Sequence, residues 1–161
     1  LGLLAAAPAD TLAYTYRIEG RVLAVHDGDT ITILDQYKRR RRIRLDAIDA
    51  PEMEQPYGPE SRRHLTGLVG RRDAVAECYK TDRYRRQVCR VLIDGTDVCL
   101  AQLRAGMAWT FWRFANDLPL DRHRRYTDAQ SKAKAERRGL WADSKPIAPW
   151  DWRDAHPSAK R

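Results

Sequence analysis

Two short acidic segments, His26-Asp27-Gly28-Asp29-Thr30 and Arg44-Leu45-Asp46-Ala47-Ile48-Asp49-Ala50-Pro51-Glu52, flank a stretch that reads as one β-hairpin. Residues 30–34 alternate polar and apolar side chains in a β-branched run, and Ile43, Leu45 and Ala47 form a second period-two set. A turn near Arg39 would put Asp29 and Asp49 equally far from it on antiparallel strands. They would then face each other at the open end with Cβ atoms roughly 5 Å apart. Two facing carboxylates repel unless a proton or a cation lies between them. In a chain of formal net charge +8, such a pair suggests a bound metal ion.

The remaining pattern limits the architecture further. Residues 14–25 read as a long strand with a bulge or bend at Gly20. Tyr57-Gly58-Pro59-Glu60 opens a helix whose buried stripe is Leu65, Leu68 and Val69 and whose stop is Gly70. Strands follow at 73–79 and 86–93, the second closed by the turn Asp94-Gly95. Asp97 caps a short helix carrying Leu100 and Leu103, and residues 107–114 are aromatic and extended. Asp121 caps a further helix running to about Arg138, with Tyr126, Ala129 and Ala133 facing inward and Gly139 as its stop. The order is strand, hairpin, helix, two strands, two helices. It predicts a mainly β fold with about three helices, a five-stranded barrel of the OB type with a helix between its third and fourth strands.

At 161 residues, with 43% apolar and 32% charged side chains, the chain suits a single folded domain and excludes an intrinsically disordered one. We divide it into an arm (1–13), a folded domain (14–142) and a Pro- and Trp-bearing tail (143–161). Ala7-Pro8-Ala9 has the small-x-small form of a signal-peptidase site, so the arm reads as the tail of a secretory signal, or else as an Ala-rich extension. The first reading implies export to the periplasm or the exterior. No apolar run is long enough for a membrane span. Cys78, Cys89 and Cys99 match no zinc spacing. Cys78 and Cys89 bracket a hairpin loop and could pair in an oxidising compartment, with Cys99 buried and free; alternatively, all three are reduced core residues.

Asp29, Asp49 and Glu52 offer hard oxygen ligands, a set that suits Ca²⁺ or Mg²⁺ rather than zinc. Either acidic segment alone is an ordinary turn; together on facing strand ends they are a site. Arg44 shares a strand with Asp49, and Arg86 begins a later one. Arginine forks bind phosphate oxygens bidentately. A cation, two guanidiniums and a free carboxylate are what phosphodiester hydrolysis requires, neutralising phosphoryl charge and accepting a proton from water. A basic balance points the same way, towards an anionic partner such as nucleic acid. The basic run 38–42 is either a phosphate-tracking patch or a solvated turn.

This combination resembles the staphylococcal nuclease (thermonuclease) family. The matching motifs are Asp27-Gly28-Asp29-Thr30, residues 44–52, Tyr57-Gly58-Pro59-Glu60, residues 81–86 and Gly139-Leu140-Trp141, in the same order and spacing over roughly residues 17–141. The resemblance implies an OB-fold nuclease that uses one Ca²⁺ ion to cut DNA or RNA to 3′-phosphate products; the sequence is silent on assembly, with a monomer as the default. It implies Asp29 and Asp49 as side-chain ligands, Ala50 as a carbonyl ligand, Glu52 as general base, and Arg44 and Arg86 as phosphate binders. Tyr84, Trp112 and Phe114 would lie beside the nucleotide. Where the family usually has Gly before the second arginine this chain has Arg85, which would be strained at a positive φ and could itself reach the phosphate. The alternatives are a nuclease-like module that only binds nucleic acid, which would normally have lost the acids, and a basic envelope protein that uses Ca²⁺ for stability.

Overall fold

A computed structural model describes residues 14–112 and 118–157. The strands are β1 (Tyr16–Val25), β2 (Thr30–Asp35), β3 (Arg40–Leu45), β4 (Ile48–Asp49), β5 (Asp73–Thr81), β6 (Gln87–Ile93), β7 (Thr96–Asp97) and β8 (Trp109–Thr110). The helices are α1 (Gly58–Val69), α2 (Val98–Arg104), α3 (Leu120–Ala135) and α4 (Pro149–Ala155), with a 3₁₀ turn at Gly139–Ala142. Strands run side by side in the order β3-β2-β1-β5-β6, and β3 then pairs in parallel with β6. That last pairing closes a five-stranded barrel, the OB-type architecture, and α1 connects its third strand to its fourth.

Alternation along each strand fills the barrel. Val22, Ile31, Ile33, Ile43, Leu45, Ala76 and Val91 are essentially inaccessible and belong to one core, which continues into Leu65 and Val69 of α1 and Leu103 of α2. Asp97 caps α2 through its side chain, accepting from the Leu100 amide at 3.1 Å. A second, smaller cluster joins Ala133 of α3 to Leu140 and Trp141, with Tyr57 and Trp109 against it. Cys78 and Cys89 are directly paired across β5 and β6 and form a disulfide, while Cys99 is buried and free.

Several details differ from the sequence expectation. The β1 irregularity falls between Val22 and Ala24. Gly20 is needed for another reason, since a Cβ there would stand 1.9 Å from the Leu34 carbonyl oxygen. The hairpin is centred on Tyr37, because Leu34 pairs with Arg40 and Thr30 with Arg44. Asp35 organises that turn, its carboxylate accepting the Tyr37 and Arg39 amides, with Lys38 at φ 62°. This register sets Asp29, not Asp49, at the end of the pairing, where the Leu45 amide donates to the Asp29 carbonyl. Asp121 lies in the first turn of α3 rather than at its cap, which is Pro119, and the helix ends at Ala135. Among its described residues the aromatic segment has two paired ones, β8, and the tail contains a fourth helix.

Candidate active site

The first acidic segment is the β1–β2 turn. The Asp27 carboxylate accepts the Asp29 amide at 3.0 Å, a local ring that fixes the Asp29 backbone. Gly28 is packed so closely that an added Cβ would lie 1.9 Å from Ser61 Oγ and 2.7 Å from the Ala50 methyl. Gln102, fully buried on α2, donates to the Gly28 carbonyl at 2.7 Å and so ties the turn to the helices.

The second segment arrives by a route the hairpin alone does not supply. After Leu45 the chain reverses at Asp46-Ala47, with Ala47 in the left-handed region at φ 56°. It then forms β4, whose partner is β8: Ile48 opposes Thr110 and Asp49 opposes Trp109. Asp29 closes the gap, its Oδ2 accepting the Ala50 amide at 2.8 Å while its Oδ1 accepts the Thr30 hydroxyl at 3.0 Å. Asp29 and Asp49 therefore do meet, but through a redirected chain and not as cross-strand partners. Arg44 lies between them, its NH2 3.2 Å from an oxygen of each. Its NH1 donates to the Leu45 and Ile48 carbonyls, so the same side chain staples the reversal.

Glu52 sits on the turn that follows Pro51. The Gln55 side chain accepts the Glu52 amide, and the Gln55 amide donates to the Glu52 carbonyl. Gly58 lies directly under this turn; a Cβ there would be 2.0 Å from the Glu52 carbonyl oxygen. The Glu52 side chain is 30% accessible, against 3% for Asp49. A carboxylate with water at hand beside two buried ones can move a proton at a ligand the others hold.

A residue that sequence reasoning missed completes the cluster. Arg153 of α4 reaches Asp49 with both terminal nitrogens, at 3.2 and 2.6 Å, and Glu52 Oε1 at 2.8 Å. It lies 101 to 104 residues from these partners, and no local periodicity links them. Burial pushes the Asp49 carboxyl upward against the pull of Arg44 and Arg153. Burial, then the Asp29 charge, pushes Asp27 up to about 7. Arg44 and Arg153 are both held more firmly charged than usual, their acids outweighing burial.

Asp29, Asp49, the Ala50 carbonyl and Glu52 are all hard oxygen donors, chemically suited to Ca²⁺ or Mg²⁺. With the arginines interposed, no three acid, His or Cys side chains form a ready metal cage among the described residues.

The other expected residues gather elsewhere. Asp82 organises their loop, its carboxylate accepting the Tyr84 and Arg86 amides and the Arg86 Nε at 2.8–2.9 Å. Tyr84 is exposed, with the Arg83 and Arg86 guanidiniums 4.9 and 5.2 Å from its ring centre. Trp112 stacks on His123 at 4.1 Å, and Phe114 lies outside the described residues. Arg86 immediately precedes Gln87, which pairs with Ile43 of β3. The loop thus ends beside the strand that carries Arg44, although Arg86 itself is engaged by Asp82 and not by the acid cluster.

Residues 42–143 match the family described as staphylococcal nuclease homologue. The chain belongs to the staphylococcal nuclease family. It is 39% identical over 139 residues to an uncharacterized endonuclease of Escherichia coli O157:H7, covering 84% of this chain and 85% of that protein. An uncharacterized endonuclease of Haemophilus influenzae is 36% identical over 133 residues, 83% and 71% of the two chains. A probable staphylococcal-like nuclease CAN3 of Oryza sativa is 35% identical over 123 residues, 76% of this chain and 31% of the longer plant protein. Membership of the nuclease family makes the loop before Arg86 informative. Arg85 does adopt the left-handed conformation that a family glycine would take without cost, at φ 64°, with its amide donating to the Asp82 carbonyl.

Proposed function

We propose that this protein is a Ca²⁺-dependent nuclease that hydrolyses phosphodiester bonds of DNA or RNA to 3′-phosphate products outside the cytoplasm. It is a phosphodiesterase of the staphylococcal nuclease family; the metal, products and compartment are our reading. The observation that carries it is the convergence of Asp29 and Asp49 on Arg44 at one end of the barrel, with Glu52 joined to Asp49 through Arg153. Asp29 and Asp49 would hold the ion by their carboxylates and Ala50 by its carbonyl, and a bound Ca²⁺ would supply charge neutralisation at the scissile phosphate. Glu52, the accessible acid, takes the proton from the water that attacks phosphorus in line with the leaving 5′ oxygen. Arg44 NH2, now shared by the two carboxylates, is the nearer donor for the phosphoryl oxygens, and Arg86 is the second.

Charge outside the cluster supports a nucleic-acid substrate. Arg40, Arg42 and Arg44 alternate along β3 and so share one face, and Arg40 and Arg42 are exposed. They form a basic stripe leading from the acids to the hairpin tip. Among the described residues no helix is long and apolar enough to cross a membrane. The Cys78–Cys89 disulfide supports an oxidising compartment, and a monomer is the simplest assembly.

The test is cleavage of heat-denatured DNA and of RNA, with added Ca²⁺ or with chelator. Cleavage that needs Ca²⁺ and leaves 3′-phosphate ends is expected. Chelator-insensitive cleavage removes the metal from the mechanism, and complete inactivity on both substrates removes the nuclease assignment.

A further inference from the structure

The tail helix is built into the acid cluster. Ala148 and Pro149 are buried, the Trp152 amide donates to the Ala148 carbonyl, and Gln55 of the Glu52 turn donates to the Ile147 carbonyl at 2.6 Å. Trp150 rests against Trp109, the residue that opposes Asp49 in the β4–β8 pair, and against Phe111, at 5.6 and 5.7 Å between ring centres. These contacts deliver Arg153 to Asp49 and Glu52.

The two arginines at the acids are held differently. Arg44 also donates to two main-chain carbonyls, an attachment that survives if the carboxylates turn elsewhere. The Arg153 guanidinium hydrogen-bonds only to Asp49 and Glu52 among the described residues. It occupies both Asp49 oxygens and one Glu52 oxygen, the same lone pairs that a hard cation and an attacking water require. Because α4 is tethered, its guanidinium stays at high local concentration.

We propose that Arg153 is a resident counter-ion of the active site that competes with the divalent cation for Asp49 and Glu52. Through it, α4 sets the metal concentration at which the site becomes competent. This inference rests on the assignment of those acids as the metal site. With metal bound, Asp49 can no longer take both guanidinium nitrogens, so Arg153 withdraws and Glu52 is released for its role with water.

The test is calorimetric Ca²⁺ titration of the full chain and of its Arg153→Ala and Arg153→Lys variants. Arg153→Ala is expected to bind Ca²⁺ roughly tenfold or more tightly than wild type, with Arg153→Lys between the two. Equal or weaker binding by Arg153→Ala overturns the proposal. Absence of Ca²⁺ binding in all three removes the metal assignment itself, and the proposal with it. A second measurement needs no variant: tryptic cleavage of wild type after Arg153, normalised to cleavage at the exposed tip residues Arg39 and Arg40. Saturating Ca²⁺ should raise the normalised rate by roughly fivefold or more as the side chain leaves the acids; an unchanged or lower rate overturns the proposal.

Discussion

Replacing Arg122 with Met should destabilise the protein more than any single change at the surface. Arg122 is 1% accessible on α3, and Asp46, at the reversal between β3 and β4, is 2% accessible. The guanidinium binds both Asp46 oxygens and also donates to the Tyr126 hydroxyl at 2.7 Å and the Tyr14 hydroxyl at 3.1 Å. Asp97 would keep the Arg90 side chain at 3.0 Å, the Tyr126 hydroxyl and the Leu100 amide. Among the described residues, Asp46 would keep only the weak Cys99 thiol at 3.6 Å as a side-chain donor. Orphaning one buried charge costs about 3–5 kcal/mol. At about 2–4 °C per kcal/mol for a chain of this size, the melting point should fall by roughly 6–20 °C. Urea unfolding followed by circular dichroism measures the loss. Adding Asp46→Asn to Arg122→Met should recover part of it. Arg125→Ala, which breaks the exposed pair with Asp121 on the same helix, should cost less than about 1 kcal/mol. If Arg122→Met and Arg125→Ala cost the same, the buried pair is not what holds the β3–β4 reversal, and the reasoning fails.

Glu52→Gln should lower turnover on denatured DNA by about 10²–10⁴-fold while leaving substrate affinity near wild type; wild-type turnover would require another base. Asp27→Asn should stabilise the metal-free protein increasingly as pH rises. The folded carboxyl titrates at about 7 and the unfolded one at about 4, so in that window the unfolded chain gives up its proton first and wild-type stability falls. A gain of about 1–3 kcal/mol at pH 8 over that at pH 4.5, read from urea midpoints in chelator, is expected; a pH-independent difference contradicts it. Reducing the Cys78–Cys89 bond, which spans 11 positions, should cost about 3 kcal/mol. The wild-type melting point should therefore drop with reductant, whereas a Cys78→Ser/Cys89→Ser protein should not respond.

The barrel was legible because its strands carry their signal locally: Ile31 and Ile33, and Ile43 and Leu45, alternate with polar partners and are buried. The helices capping it announce themselves through Pro59, Asp97 and Gly70. The acids of the site were legible as motifs, but their route to one another was not. The hairpin tip has a lysine at positive φ where a glycine or asparagine would have marked the turn, so its centre falls two residues earlier than expected. The reversal at Ala47 likewise hides behind a residue with no preference for φ 56°. Gly20 misleads in the opposite sense, since its lack of a side chain serves close packing on Leu34 rather than a bulge. Arg153 left no trace at all: a seven-residue helix has little periodicity, and its partners lie two-thirds of the chain away.

The crowding of Trp109, Trp141 and Trp150 next to Asp49 has a practical consequence. Indole emission responds to small changes in the polarity and charge around the ring, and Trp109, which opposes Asp49 and carries the other two rings against it, sits where a rearrangement of that acid alters its surroundings. The protein therefore carries its own optical reporter. Binding at the site can be followed by intrinsic fluorescence, with no dye attached and no labelled substrate.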